Sequence, residues 1–214
     1  HLSGVVPTPV IYWAKERKQA QAAAIVTASH SPPDWNGLKV MNGNLPPTAD
    51  DIKQLASNLD DDSAGLPGAV EFWDDAVESY ITEKTALFAG IELAQTKIVV
   101  DPGNGCQVDV ASKILKNLGA QVTAINDRLD GTFSDRNPDC SVATNLRDLC
   151  KTVVKENADI GIAFDGDGDR LAIVDDTGRV VPPEQVAMVL LNGTLNPQGG
   201  RAVVLDIKST MHFD

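Results

Sequence analysis

Residues 97–125 carry the pattern that most restricts how this chain can fold. Two short apolar runs, Lys97–Asp101 and Gln121–Ile125, are separated by a turn and one amphipathic stretch. In that stretch apolar residues recur at helical spacing, and Gly119 provides a stop at its end. A strand, a helix and a second strand in this order form a β-α-β unit. The sequence therefore predicts an α/β protein.

The other apolar runs continue this alternation. Further strands are predicted at Ala24–Thr27, Ile160–Phe164 and Leu171–Val174. Helices are predicted at Ile11–Ala23, Ala49–Leu59 and Ala69–Leu87, from about Thr144, and after Pro182. The expected fold is α/β, with successive mixed or parallel sheets between helices.

Charge and cysteine content restrict the class of function. The 214 residues carry a formal net charge of −12, which argues against nucleic acid or an anionic membrane as partner, because both require a basic face. A small phosphorylated molecule remains possible if cations are concentrated at one site. Cys106, Cys140 and Cys150 are odd in number and lack C-x-x-C spacing, so we expect reduced thiols in a cytoplasmic protein.

The segment D-G-D-G-D-R at 165–170 is the strongest candidate site. Asp165, Asp167 and Asp169 alternate with glycines between two predicted strands. Clustered carboxylates repel one another unless a cation neutralises them, and oxygen ligands suit Mg²⁺. A solvated acidic hairpin is the plain alternative. An EF-hand does not fit, because Arg170 stands where the turn needs Gly and Asp176 where Glu is expected.

A second enzymatic interpretation uses the same loop. A strand that ends in Asp165-x-Asp167-Gly168 is similar to the first motif of haloacid-dehalogenase-type phosphatases, in which the first Asp is the nucleophile. That motif usually continues with Thr or Val and lies near the N-terminus, whereas here Asp169 follows and 164 residues precede it. An aspartyl-phosphate phosphatase that uses Asp165 is thus an alternative hypothesis.

The segment T-A-S-H-S-P-P-D-W-N-G-L-K at 27–39 is the second candidate. Ser29 follows a predicted strand, in a loop stiffened by two prolines, and is therefore positioned to react. His30 and Lys39 could transfer protons or contact phosphate. No G-x-S-x-G motif accompanies the serine, so a serine hydrolase is not indicated.

Taken together, these two segments resemble the α-D-phosphohexomutase family, and within it the phosphomannomutase/phosphoglucomutase group. Four shorter segments support the resemblance: Thr8-Pro9, Asp101–Gly105, Asp130–Phe133 and Asn137-Pro138. The chain departs from the family at Ser31, where Asn is usual, and at Gln107, where Gly is common.

The resemblance implies a reaction and a role for each candidate residue. Ser29 would carry a phosphoryl group and exchange it with a hexose monophosphate, through a hexose 1,6-bisphosphate. Mg²⁺ would be bound by the three carboxylates and the phosphoserine oxygen. The remaining implied roles are proton transfer by His30 and Lys39, and phosphate or substrate binding by Arg170 and Lys208.

The resemblance also implies a larger protein of four domains. Residues 1–73 would be the later part of domain 1, 74–179 domain 2, and 180–214 the truncated start of domain 3. We therefore expect little or no mutase activity from these 214 residues alone. Sugar preference (glucose, mannose or both) and oligomeric state stay open, and a degenerate relative that only binds metal is a third hypothesis.

Overall fold

The computed structural model describes residues 4–43, 45–57 and 68–194 of the chain. Two sheets with helices packed against them form this part, which confirms the predicted α/β class. Among these residues, no helix is both long and apolar enough to cross a bilayer. Positions 195–214, and Lys208 with them, lie outside the described residues.

The first sheet has two antiparallel strands and belongs to the N-terminal part of the chain. In chain order this part contains helix α1 (Thr8–Arg17), strands β1 (Ala22–Val26) and β2 (Leu38–Asn42), and helix α2 (Ala49–Ser57). The predicted helix Ile11–Ala23 is wrong in both bounds. It begins earlier, with Pro9 in its first turn, and ends before the alanine run. That run has no apolar periodicity, and its pairing with β2 makes it a strand.

The second sheet has five strands in the order β4-β3-β5-β6-β7. Strand β3 is parallel to β4 and β5, whereas β6 is antiparallel to β5 and β7. The strands are β3 (Lys97–Asp101), β4 (Gln121–Ala124), β5 (Ile160–Phe164), β6 (Leu171–Asp175) and β7 (Val180–Val181). The predicted β-α-β unit is confirmed by parallel β3 and β4, with one helix between them.

The helices of this part are α3 (Ala76–Leu87), α4 (Val110–Asn117), α5 (Arg147–Glu156) and α6 (Pro183–Thr194), with a 3₁₀ turn at Ala143–Leu146. The predicted helix Ala69–Leu87 is wrong over its first seven residues, because α3 begins only at Ala76. Asp75 precedes the helix but makes no capping hydrogen bond, and Trp73 packs against Trp13 of α1 instead of continuing the helix.

A buried core between α5 and the second sheet fixes the strands that lead to the acidic loop. Val99 and Val174 on the strands contact a cluster that includes Leu149 and Val153 on α5, all of them fully buried. Gly161 on β5 allows this close approach, since a Cβ there would lie 2.7 Å from a Val153 methyl group. The C-terminal end of β5 is therefore held rigidly.

An aromatic cluster joins α1 to the α3 region. Trp13 stacks on Trp73 with ring centroids 5.2 Å apart, and Tyr80 meets Trp13 edge-on at 5.7 Å. The Trp13 indole N–H donates to Glu83 over 2.9 Å, and Arg17 forms an ion pair with the same carboxylate. These contacts hold the first sheet's leading helix against the second part of the chain.

Candidate metal centre and serine loop

The acidic loop is the connection between antiparallel strands β5 and β6. Asp165 and Asp167 are almost fully buried, whereas Asp169 is partly exposed to solvent. One carboxylate oxygen from each of the three lies within 4.8 Å of the others. Strand β6 begins at Leu171, directly after Arg170, so a 12-residue EF-hand loop does not form.

Two of these carboxylates have shifted pKa values of opposite sign. Burial raises the pKa of Asp165, and the nearby negative charges of Asp167 and Asp169 raise it further. Burial also acts to raise the pKa of Asp167, but hydrogen bonds from Lys39 and Thr8 outweigh it, and the net shift is downward. Asp167 therefore stays ionised to a lower pH than Asp165.

Ser29 lies directly against the acidic loop. Its backbone takes a left-handed conformation (φ 57°), and its N–H donates to the Thr27 hydroxyl over 2.9 Å. The Ser29 hydroxyl donates to Asp165 Oδ2 over 2.9 Å. A Cβ at Gly166 would lie 2.3 Å from the Ser29 carbonyl oxygen, so this approach requires glycine at position 166.

Lys39, at the start of β2, reaches the acidic loop from the same side. Its Nζ lies 2.5 Å from Asp167 Oδ2 and 2.7 Å from Asp169 Oδ2. Partial burial alone would lower the pKa of Lys39, but the two carboxylates raise it overall. Lys39 is therefore a protonated cation in this arrangement.

His30 and Arg170 complete the cluster. His30 Nδ1 lies 3.3 Å from the Ser29 hydroxyl oxygen, and its Nε2 lies 3.4 Å from Arg170 Nη1. The Arg170 backbone N–H donates to Asp165 Oδ1 over 3.1 Å. A serine oxygen, an imidazole and a guanidinium thus form a continuous row beside the carboxylates.

The residues present fit a hard divalent cation. Asp167 Oδ1 is buried and has no hydrogen-bond partner among the described residues, although buried carboxylate oxygens are normally paired. Three convergent carboxylates and a serine oxygen are the donor set that Mg²⁺ prefers.

Seven of the eight residues singled out from the sequence lie in this cluster, and Lys208 lies outside the described residues. Sequence reasoning did not single out Thr8 as a site residue. Its hydroxyl donates to Asp167 Oδ2 over 2.6 Å and its backbone N–H donates to the Asp167 carbonyl over 2.9 Å. Thr8-Pro9 supported the family resemblance, but the sequence carries no signal for a contact across 159 positions.

A buried ion pair lies directly under the acidic loop and was also not anticipated. Arg136 Nε donates to Asp101 Oδ2 over 2.8 Å, and both side chains are at least 95% buried. Arg136 Nη2 also donates to the carbonyls of Asp101 and Phe164, over 3.1 and 2.7 Å. Arg136 therefore ties the ends of β3 and β5 together next to Asp165.

Fold and site define an α/β protein in which a serine is held against a carboxylate cluster. Two models of the phosphoglucomutase/phosphomannomutase family match the chain: α/β/α domain I over residues 1–64 and α/β/α domain II over residues 78–178. The chain belongs to this family, the α-D-phosphohexomutases.

Individual relatives agree. A phosphomannomutase/phosphoglucomutase of Pseudomonas aeruginosa is 34% identical over 97% of this chain and 44% of its own length. A phosphoglucomutase of Neisseria meningitidis is 36% identical over 97% of this chain and 45% of its own. A phosphoglucomutase/phosphomannomutase family structure from Burkholderia thailandensis superposes with a TM-score of 0.76 at 31% identity, covering 88% of this chain and 43% of that one. The chain thus spans less than half the length of these relatives.

Proposed function

We propose that the chain carries the phosphoserine and metal loops of an enzyme that interconverts hexose 1-phosphate and hexose 6-phosphate, with glucose or mannose as the sugar. The observation that carries this proposal is the 2.9 Å hydrogen bond from the Ser29 hydroxyl to Asp165, inside a cluster of three carboxylates, a lysine, an arginine and an imidazole. Relatives named phosphomannomutase/phosphoglucomutase support the same reaction.

In the proposed reaction, phosphorylated Ser29 donates its phosphoryl group to a sugar hydroxyl. The P–O bond to Ser29 breaks, a P–O bond to the sugar oxygen forms, and the hydroxyl proton passes to a nearby base. The resulting 1,6-bisphosphate reverses its orientation in the site and returns its other phosphoryl group to Ser29. Phosphoryl transfer depends mainly on positioning and charge neutralisation, which suits a site rich in fixed charges.

The proposed roles of the side chains follow from their positions. Asp165, Asp167 and Asp169, with an oxygen of phosphorylated Ser29, would hold Mg²⁺. The ion would neutralise charge on the transferred phosphoryl group.

The basic side chains beside the loop would take the other roles. His30, 3.3 Å from the Ser29 oxygen, and Lys39 are the proposed proton carriers, and Arg170 beside His30 would bind phosphate oxygens. The role of Lys208 in substrate binding stays a proposal from sequence.

Phosphate transfer from a sugar bisphosphate tests this function. The chain is incubated with Mg²⁺ and glucose 1,6-bisphosphate, and intact and peptide mass spectra locate any added phosphate. We expect phosphate on Ser29, none on a Ser29→Ala variant, and undiminished labelling of Ser31→Ala, a matched serine two residues away. Unlabelled Ser29 in a folded chain would contradict the proposal.

The same variants separate the two other hypotheses. An aspartyl-phosphate phosphatase requires phosphate-ester hydrolysis that survives Ser29→Ala and is lost in Asp165→Asn. A degenerate metal-binding relative requires cation binding without any labelling of Ser29. In this structure Asp165 Oδ2 accepts the Ser29 hydroxyl and Oδ1 accepts the Arg170 backbone N–H.

The domain limits, the activity of the chain and its cellular location are also proposals. We propose the domain limits 1–73, 74–179 and 180–214, of which the last begins a third domain. Because the chain spans under half of its relatives, we expect these 214 residues to turn over glucose 1-phosphate slowly or not at all, even with bisphosphate activator. All three cysteines are free thiols, which agrees with a cytoplasmic protein that binds small hexose phosphates.

A further inference from the structure

Hydrogen bonds from outside the acidic loop hold every second carbonyl of its backbone. Each of its three carboxylate residues follows a residue whose carbonyl accepts a hydrogen bond from outside the loop. Arg136 Nη2 donates to Phe164 over 2.7 Å, the Cys106 backbone N–H to Gly166 over 2.9 Å, and Gln107 Nε2 to Gly168 over 2.9 Å. The donors to Gly166 and Gly168 both come from the turn after β3.

Of the three donors, Gln107 is the one that reaches the loop with an uncharged side chain. Here the glutamine is 93% buried and its amide reaches the carbonyl of Gly168. A buried amide is costly unless it is hydrogen-bonded, so this side chain is fixed by that contact.

The glutamine also restricts the loop sterically. Gly168 has φ 73°, and a Cβ there would lie 2.4 Å from Gln107 Cγ. The Gln107 side chain therefore covers one face of Gly168. Its amide orients the peptide that leads to Asp169. Of the three carboxylates, Asp169 is the most exposed and would otherwise depend on Lys39 at 2.7 Å for its orientation.

We propose that Gln107 is a positioning residue for the metal centre: its hydrogen bond to the Gly168 carbonyl sets the direction in which Asp169 presents its carboxylate. This inference rests on the proposed binding of a divalent cation by the acidic loop. Gln107 acts through Gly168 and does not itself contact the cation.

The test compares Gln107→Met with the unchanged chain by Mn²⁺ titration, in which electron paramagnetic resonance reports free Mn²⁺. Methionine keeps the volume over Gly168 and removes the donor. Loss of partners outside the ligand set typically weakens metal affinity about 10- to 100-fold, and we expect about a tenfold rise in Kd. Gln121→Met is the matched control, since Gln121 donates to the Ala94 carbonyl over 3.4 Å far from the loop, and its Kd should not change.

Two further measurements distinguish positioning from packing. Thermal unfolding without metal should stay a single cooperative transition for Gln107→Met, with a modestly lower midpoint because one buried hydrogen bond is lost, so that the variant is folded during the titration. Gln107→Leu, which also removes the donor and adds no charge, should weaken Mn²⁺ binding in the same way, and it replaces the methionine variant if that variant folds poorly. An unchanged Kd for Mn²⁺ in either folded variant would overturn the role of Gln107 and leave the proposed metal site standing. An unchanged chain that binds no Mn²⁺ would overturn the proposed metal site and this inference with it.

Discussion

Removal of the buried Arg136 guanidinium should destabilise the chain strongly. Arg136→Met keeps much of the side-chain volume but leaves Asp101 charged, 99% buried and without its cation. Removing one partner of a buried ion pair typically costs about 3–5 kcal/mol. Asp101 Oδ1 would keep hydrogen bonds from the Gly103 N–H, at 2.9 Å, and from Asn126 Nδ2, at 3.0 Å. We therefore expect a loss near the lower limit, about 3 kcal/mol.

Urea unfolding followed by far-UV circular dichroism measures this loss, with linear extrapolation to water and a check that the slope m is unchanged. The control is Arg128→Met. Arg128 pairs with Asp130 over 3.0 Å, but its side chain is 67% exposed. Removal of such a surface pair should cost less than about 1 kcal/mol.

A double variant tests the cause. If the cost comes from the stranded charge, Arg136→Met combined with Asp101→Asn should lose less free energy of unfolding than the two single variants added together. Strict additivity, or an Arg136→Met loss no larger than that of Arg128→Met, would refute the reasoning.

Three other predictions follow from the site and its surroundings. Lys39→Met should bind Mn²⁺ more tightly, because the ammonium that contacts Asp167 no longer opposes the cation; weaker binding in calorimetry would contradict this. Thr8→Val removes a buried 2.6 Å hydrogen bond to Asp167 and should lower the free energy of unfolding by about 1–3 kcal/mol, whereas Thr8→Ser should not. The Thr177 hydroxyl, followed by other hydrogen bonds, lowers the pKa of Asp175 to about 2, so its stabilising effect is complete above pH 3.8 and is lost as the pH falls toward 2; a midpoint near 3.8 in an NMR titration would disprove it.

Much of the second sheet could be predicted because its strands are continuous apolar runs. Lys97–Asp101 and Ile160–Phe164 are strands with the bounds expected from sequence. Both are central and covered by helices on two faces, so burial imposes an unbroken apolar pattern. Strand Val180–Val181, by contrast, is two residues long and lies at the sheet edge, too short to leave a periodic signal.

The first sheet was harder to predict for a related reason. Strand Leu38–Asn42 lies within and just after the serine motif and mixes apolar with polar residues, so the motif was interpreted as a loop alone. Its strand conformation depends on pairing with Ala22–Val26, which is information that no local window contains.

The candidate site residues could be predicted as a set, but the residues that hold them could not. Ser29 and the three carboxylates stand in motifs whose residue types already suggest chemistry. For Thr8, Arg136 and Gln107 the sequence gives no sign of a contact with the acidic loop, yet each donates to it from 28 or more positions away. Only the fold brings their donors to the loop.

The two-stranded sheet sets a limit on how long the cluster stays assembled. Ser29 and Lys39 reach the carboxylates from that sheet, while the carboxylates themselves extend from a five-stranded sheet with a closed core. Two-stranded sheets are marginally stable by themselves, and local opening follows the least stable element. We therefore expect the cluster to come apart when β1 and β2 separate, which happens more often than global unfolding. In amide hydrogen exchange, this would place the amides of Ala22–Val26 among those that exchange early, ahead of those of β5.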